Sequence, residues 1–404
     1  MGYDEAIRAH YDTFSLSMRE LKDEIEAANN IETGSFSMGV EEEYFLVDPE
    51  TGQVSVETEE RLFAEAFSGT DGRVEHELLQ SQAEAVTRPC SSLSEVRAEL
   101  CFVRSALSAV AGRYGLAIAA AGTHPSAGWR GAVQSADERY DRVMADLQMI
   151  GERNMLCGMH VHVALPDPAR RVDVMRRILP YLPLFIALSA SSPFWNGRLT
   201  GLRGYRLAAY DELPRTGLPE LFAGNEDFEA YCAALVTSGA IADSSHLWWT
   251  IRPSHKYPTL ELRAPDSCTH VEDALAIAAL YRALVRHLYI DPRCNDGVDA
   301  VARAIAVENK WRAQRYGVHG SFATPEGSLT VGAFLDRAIA LTAEDAAALD
   351  CAGEIAHCRA IVAQGTSADA QIRIHQAEDP SGDAAAALAK VVRWIAENTV
   401  KTCQ

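Results

Sequence analysis

The stretch Gly39-Val40-Glu41-Glu42-Glu43-Tyr44-Phe45-Leu46-Val47 constrains this chain more than any other. Its second half, Tyr-Phe-Leu-Val, is aromatic and β-branched and reads as a strand. Its first half sets three consecutive carboxylates into that strand. Side chains alternate across a strand, so Glu41 and Glu43 share one face and Glu42 takes the other. Carboxylates side by side repel each other and are costly to bury. A divalent cation between them removes both costs, and oxygen donors on neighbouring positions suit Mg²⁺ or Mn²⁺. The competing explanation is a solvated, charged edge strand.

Other stretches supply groups of the same kind. Val74 to Thr87 has strand character and holds Glu75, Glu77 and Glu84. Glu77 and Glu84 are seven apart and face opposite ways in an unbroken strand, so a strand with a bend is expected. Two helical turns would also align them. A short strand over 158–164 sets His160 and His162 on one face. The strand over 259–264 does the same for Glu261 and Arg263, as an ion pair or as one metal ligand beside one phosphate-binding cation. Arg198, Arg203 and Arg206 follow a Ser-Pro break, with Gly201 and Gly204 among them, a loop suited to clamping a phosphate or a carboxylate. Asn309, Arg312 and Tyr316 fall on one helix face.

The net charge of -19 argues against a general nucleic-acid or anionic-membrane surface. An anionic substrate then needs a local basic patch and a metal. The nine cysteines form no CxxC pair, and the N-terminus is acidic, which predicts a cytoplasmic protein with mostly buried thiols. The most apolar run, Tyr181 to Trp195, is too short for a membrane span and carries Pro183 and Pro193. Residues 1–33 read as an amphipathic helical extension, with Leu21, Ile25 and Ala28 on one side, and the length of 34–404 suits one large domain or two intimate ones. Helices are expected over 58–67, from Ser92, where Ser92 and Glu95 resemble a capping box, to about Tyr114, over 168–191 as one helix or a kinked pair, over 226–240 and over 271–290. The remainder from about 297 is nearly all helix. P-loop, GxGxxG, GxSxG and HExxH motifs are absent.

Seven stretches taken together resemble the carboxylate–amine ligase family often called glutamate–cysteine ligase type 2. They are GVEEEYFLVD at 39–48, HELLQSQAEAVT at 76–87, AAAGTHP at 119–125, GMHVHVALPD at 158–167, GLRGYR at 201–206, TLELRAPD at 259–266 and ENKWRAQRYG at 308–317. The resemblance covers about 36–400 and implies a single catalytic domain over 34–404. It implies an α+β fold, a curved antiparallel sheet of the glutamine-synthetase type backed by helices, with a helical C-terminal part. It implies ATP-dependent joining of the glutamate γ-carboxylate to the amine of cysteine or a similar compound, and a cytoplasmic homodimer. By motif, Glu41, Glu43, Glu77, Glu84, His160 and Glu261 are the expected metal ligands around ATP, with Mg²⁺ or Mn²⁺. Glu41, Glu43, Glu84 and Arg263 are the expected catalytic groups. Arg203, Arg206, Arg263, Asn309 and Arg312 are expected to hold nucleotide or substrate. Two other functions stay open: a zinc hydrolase built on His160 and His162, and a non-catalytic nucleotide-binding relative of the fold.

Overall fold

The computed structural model describes residues 36–56, 58–130, 132–135, 138–378 and 383–403. The helical extension expected over 1–33 lies outside them. Eleven strands are present among the described residues: β1 (Met38–Val47), β2 (Val74–His76), β3 (Gln82–Val86), β4 (Ala117–Ala119), β5 (Met159–Ala164), β6 (Phe194–Trp195), β7 (Arg198–Leu199), β8 (Ile251–Pro253), β9 (Thr259–Leu262), β10 (Ser321–Thr324) and β11 (Gly327–Thr330). Seven build one sheet in the order β2-β3-β1-β5-β9-β8, with β4 beside the second half of β1. All its pairings are antiparallel.

β1 is the centre of this sheet. It pairs with β3 along one edge and is shared by β5 and β4 along the other. The expected bent strand over 74–87 is instead a hairpin. Leu78 to Ser81 reverse the chain, and Glu75 comes to lie directly opposite Glu84. Side-chain alternation reports which face a residue takes and carries no record of a reversal, so both readings fit the same pattern.

One face of the sheet is apolar. Val40, Met159, Val161, Val163, Leu260 and Leu262 are fully buried there. They share a core with the helix Val271–Ile290, which starts and ends where its apolar run does. The helix Leu93–Arg113 opens as expected: Ser92 Oγ accepts from the Glu95 amide at 3.2 Å, and the Glu95 carboxylate accepts from the Ser91 amide at 2.6 Å. The kinked pair resolves into Arg171–Ile178 and Leu182–Ser189, separated by a short 3₁₀ turn holding Pro180. The C-terminal part is helical apart from the β10–β11 hairpin. Among the described residues, no helix is long and apolar enough to cross a membrane.

Glu42 takes the buried face. Arg104 donates to both of its oxygens, at 2.8 and 2.6 Å, and Tyr44 donates to it as well. The other Arg104 donors reach the carbonyls of Cys268, Thr269 and Thr399. All five guanidinium N–H groups are thus spent, which is what allows an ion pair to sit in a dry core. Nearby, Cys101 and Cys403 form a disulfide across 302 positions of sequence, a pairing the thiol expectation did not include. The other seven cysteines are free, five of them buried.

Candidate active site

The opposite face of the sheet carries the ionisable residues. Register brings them together in directly opposed pairs: Glu43 with Glu84, Glu41 with His160, His162 with Glu261, and Glu261 with Arg252. They line a cavity of about 1580 Å³. Two sets of donor atoms each fall within 4.8 Å of one another, Glu41–His160–Glu261 and Glu43–Glu84–His160. His160 Nδ1 lies 3.1 Å from Glu41 Oε2, and its Nε2 lies 3.7 Å from Glu43 Oε1. Glu261 is held bidentately by Arg252, at 2.8 and 3.1 Å, and by Arg263, which directly follows β9.

The electrostatics follow from burial and company. Burial works to raise Glu41, but the imidazoles of His162 and His160 outweigh it and hold the carboxyl well below its usual range. Burial and the Glu77 carboxylate push Glu43 up to about 7, against Arg206, the Gly158 amide and Arg263. Burial, with Glu41, Glu77, Glu43 and Glu75 around it, pushes Glu84 well above the usual carboxyl range. Burial opposes the ionised Glu261, yet Arg263 and Arg252 keep its carboxyl low. Burial and then Arg263 push His160 down to about 4, so the ring is neutral at pH 7 with a lone pair to offer. Four carboxylates therefore converge where the nearby guanidiniums satisfy only Glu261. His160 Nε2 is buried and has no hydrogen-bond partner among the described residues. Oxygen donors with one neutral imidazole fit a hard divalent cation.

The remaining expected residues divide. Glu77 follows β2, half-buried, and lines the cavity outside both donor sets. Arg206 also lines it; its Nη1 donates to the carbonyls of Arg263 and Pro265, and its buried Nε, like that of Arg263, has no hydrogen-bond partner among the described residues. The structure takes the others elsewhere. Arg203 pairs with Asp369 at 3.0 Å and does not line the cavity. Asn309 exchanges two hydrogen bonds with the backbone of Ala323, and Arg312 donates to the Ser321 carbonyl, so both brace the β10–β11 hairpin. Helical spacing aligned them correctly but pointed to no particular neighbour. His162 stands outside both donor sets among the described residues, with its Nε2 3.1 Å from Glu41 Oε1.

Two contributors were missed. Arg252 lies in β8, and only the β8–β9 register puts it on Glu261. The Gly158 amide donates to Glu43 Oε2 at 2.5 Å, and a Cβ on Gly158 would lie 2.1 Å from Arg206 Nη2. The glycine lets the guanidinium cross against the backbone. The GMHVHV motif that begins there was the available signal.

An antiparallel sheet with acidic groups on one face and helices behind the other is the α+β fold of the glutamine-synthetase-like ligases. A bifunctional glutathione synthetase from Pasteurella multocida superimposes with a TM-score of 0.66 at 14% identity, over 90% of this chain and 52% of that one. This chain thus spans about half of that protein. A glutamate–cysteine ligase from Francisella tularensis, solved with AMP, gives 0.61 at 11% identity, over 91% and 93% of the two chains. A family model described as "Glutamate-cysteine ligase family 2" matches residues 37–387. A relative from Bradyrhizobium sp. (strain ORS 278) named "Putative glutamate–cysteine ligase 2" is 53% identical over 378 residues, 94% of this chain and 91% of the relative. One of the same name from Rhodospirillum rubrum is 42% identical, over 84% and 89%. The chain belongs to glutamate–cysteine ligase family 2 and is a ligase of that family.

Proposed function

We propose that this protein is an ATP-dependent carboxylate–amine ligase that joins the γ-carboxylate of glutamate to the amine of cysteine or a similar compound. The observation that carries the reading is the convergence of Glu41, Glu43, Glu84, Glu261 and His160, from four strands, on one cavity. The AMP bound to the Francisella tularensis ligase of the same fold supports a nucleotide in this cavity.

A carboxylate and an amine do not condense in neutral water without activation. The donor carboxylate attacks the γ-phosphorus of ATP, ADP leaves, and an acyl phosphate forms. The amine then attacks the acyl carbon and phosphate departs. Glu41, Glu43, Glu84, Glu261 and His160 would hold Mg²⁺ or Mn²⁺, with Glu77 at the margin of the set; the cation supplies neutralisation of phosphate charge. Arg263 and Arg206 stabilise the transferring phosphoryl group and the substrate carboxylate, and their unspent Nε donors suit that work. Glu77 or Glu84 takes the proton that the amine sheds.

The test is ADP release from Mg-ATP with glutamate and a panel of amines. Wild-type protein should turn over with at least one amine, and Glu41→Gln or Glu43→Gln should abolish that turnover while the fold survives. Turnover near wild type in either variant would refute the assignment.

A further inference from the structure

Glu41 is gripped from both sides. While Oε2 faces His160, Oε1 lies 3.1 Å from His162 Nε2. That contact is close, although Nε2 makes no aligned hydrogen bond among the described residues. The other nitrogen of the same ring, Nδ1, sits 2.8 Å from Thr259 Oγ1. Tyr257 packs edge-on against the imidazole, with ring centroids 5.9 Å apart. The side chain is nine-tenths buried, and it stands outside both donor sets.

Strand geometry makes this arrangement. β5 places His160 and His162 on one face, and β9 places Thr259 two residues from Glu261 on the same face. A carboxylate beside Nε2 favours a proton on that nitrogen. In the neutral ring Nδ1 is then an acceptor, and the Thr259 hydroxyl donates to it. Thr259, His162 and Glu41 form a chain in which each group orients the next, ending on a carboxylate of the cation site.

We propose that His162, oriented by Thr259, is a positioning residue that fixes the Glu41 carboxylate for a divalent cation. The inference rests on the metal-dependent ligase reading above. Its effect falls on cation affinity and leaves the binding of the donor carboxylate untouched. Outer partners of this kind change metal affinity by about 10–100-fold when removed.

The experiment measures Mn²⁺ binding to the full chain without nucleotide, by the paramagnetic resonance signal of free Mn²⁺, alongside the Mn²⁺ concentration for half-maximal turnover. His162→Val should weaken Mn²⁺ by about 10–100-fold and leave the KM for glutamate near wild type. His162→Gln, whose amide reaches the position of Nε2, should recover most of the loss. His162→Asn, whose amide reaches only the position of Nδ1, should not. Thr259→Val should weaken Mn²⁺ less than His162→Val, and Thr259→Ser should match wild type. Equal Mn²⁺ affinity in wild type and His162→Val, or equal rescue by Gln and Asn, overturns the inference. If His162→Val does not fold, the Gln–Asn and Thr259 comparisons decide it alone. Wild-type protein that binds no Mn²⁺ would overturn the ligase reading as well. Wild-type binding that is lost in Glu41→Gln and kept in His162→Val would overturn only the positioning role.

Discussion

Glu43 and Glu84 stand directly opposite each other on β1 and β3, two carboxylates across one antiparallel pair. Opposed like charges destabilise a sheet. Both are pushed above the ordinary carboxyl range, Glu43 to about 7. The metal-free fold therefore tolerates the pair by holding protons.

That gives a stability profile with a definite sign. A carboxyl raised from 4.5 in the unfolded chain to about 7 in the folded one makes the native state hold the extra proton. Glu43's own contribution to the stability of the metal-free protein should then fall as pH rises from about 4.5 through 7, by on the order of 3 kcal/mol, while His160, held down to about 4, adds the opposite slope below about pH 6.5. Thermal melts in chelator between pH 5 and 8 measure it, and Glu43→Gln should flatten the fall. A melting temperature that climbs across this window in wild type and not in the variant would contradict the account.

Cation binding should release those protons. Mn²⁺ affinity is expected to rise between pH 6 and 8, by up to about tenfold per pH unit for each proton displaced. Calorimetry in two buffers of different ionisation enthalpy counts the protons directly. Identical heats in both buffers would mean that Glu43 and Glu84 are already ionised.

Gly158→Ala should cripple the site without unfolding the sheet. The added methyl would collide with the Arg206 guanidinium at 2.1 Å and drive it from its place beside the Arg263 and Pro265 carbonyls. A displacement of that size costs on the order of 100-fold in kcat. Steady-state ADP release reads the loss, and a melting temperature near wild type keeps it distinct from unfolding.

Arg104→Met should be among the most destabilising single changes. It leaves Glu42 as a buried charge without its cation and strands three backbone carbonyls. Breaking one side of such a pair costs about 3–5 kcal/mol. Urea denaturation measures this, and a loss below about 1 kcal/mol would show that the core readmits water at Glu42.

Asn309→Ala separates a structural role from a nucleotide-binding one. Its amide mimics a strand neighbour for Ala323, so its loss should cost about 1–3 kcal/mol of stability. The KM for ATP should not move. A rise in that KM with unchanged stability would return Asn309 to the nucleotide site.

Much of this molecule is local in origin and was legible in the residues themselves. Strand alternation separated Glu42 from Glu41 and Glu43, paired His160 with His162, and put Glu261 and Arg263 on a common face. Capping chemistry located the start of the Leu93–Arg113 helix. These follow from backbone periods that each segment carries on its own. Which segments meet is another matter. The hairpin that sets Glu75 against Glu84, the clamp of Arg252 on Glu261, the bracing of β10–β11 by Asn309 and Arg312, and the bond between Cys101 and Cys403 all join partners chosen by register and chain reversal. A repeat of two or 3.6 residues fixes the direction of a side chain and leaves its neighbour undetermined, so only the packed fold could decide those contacts.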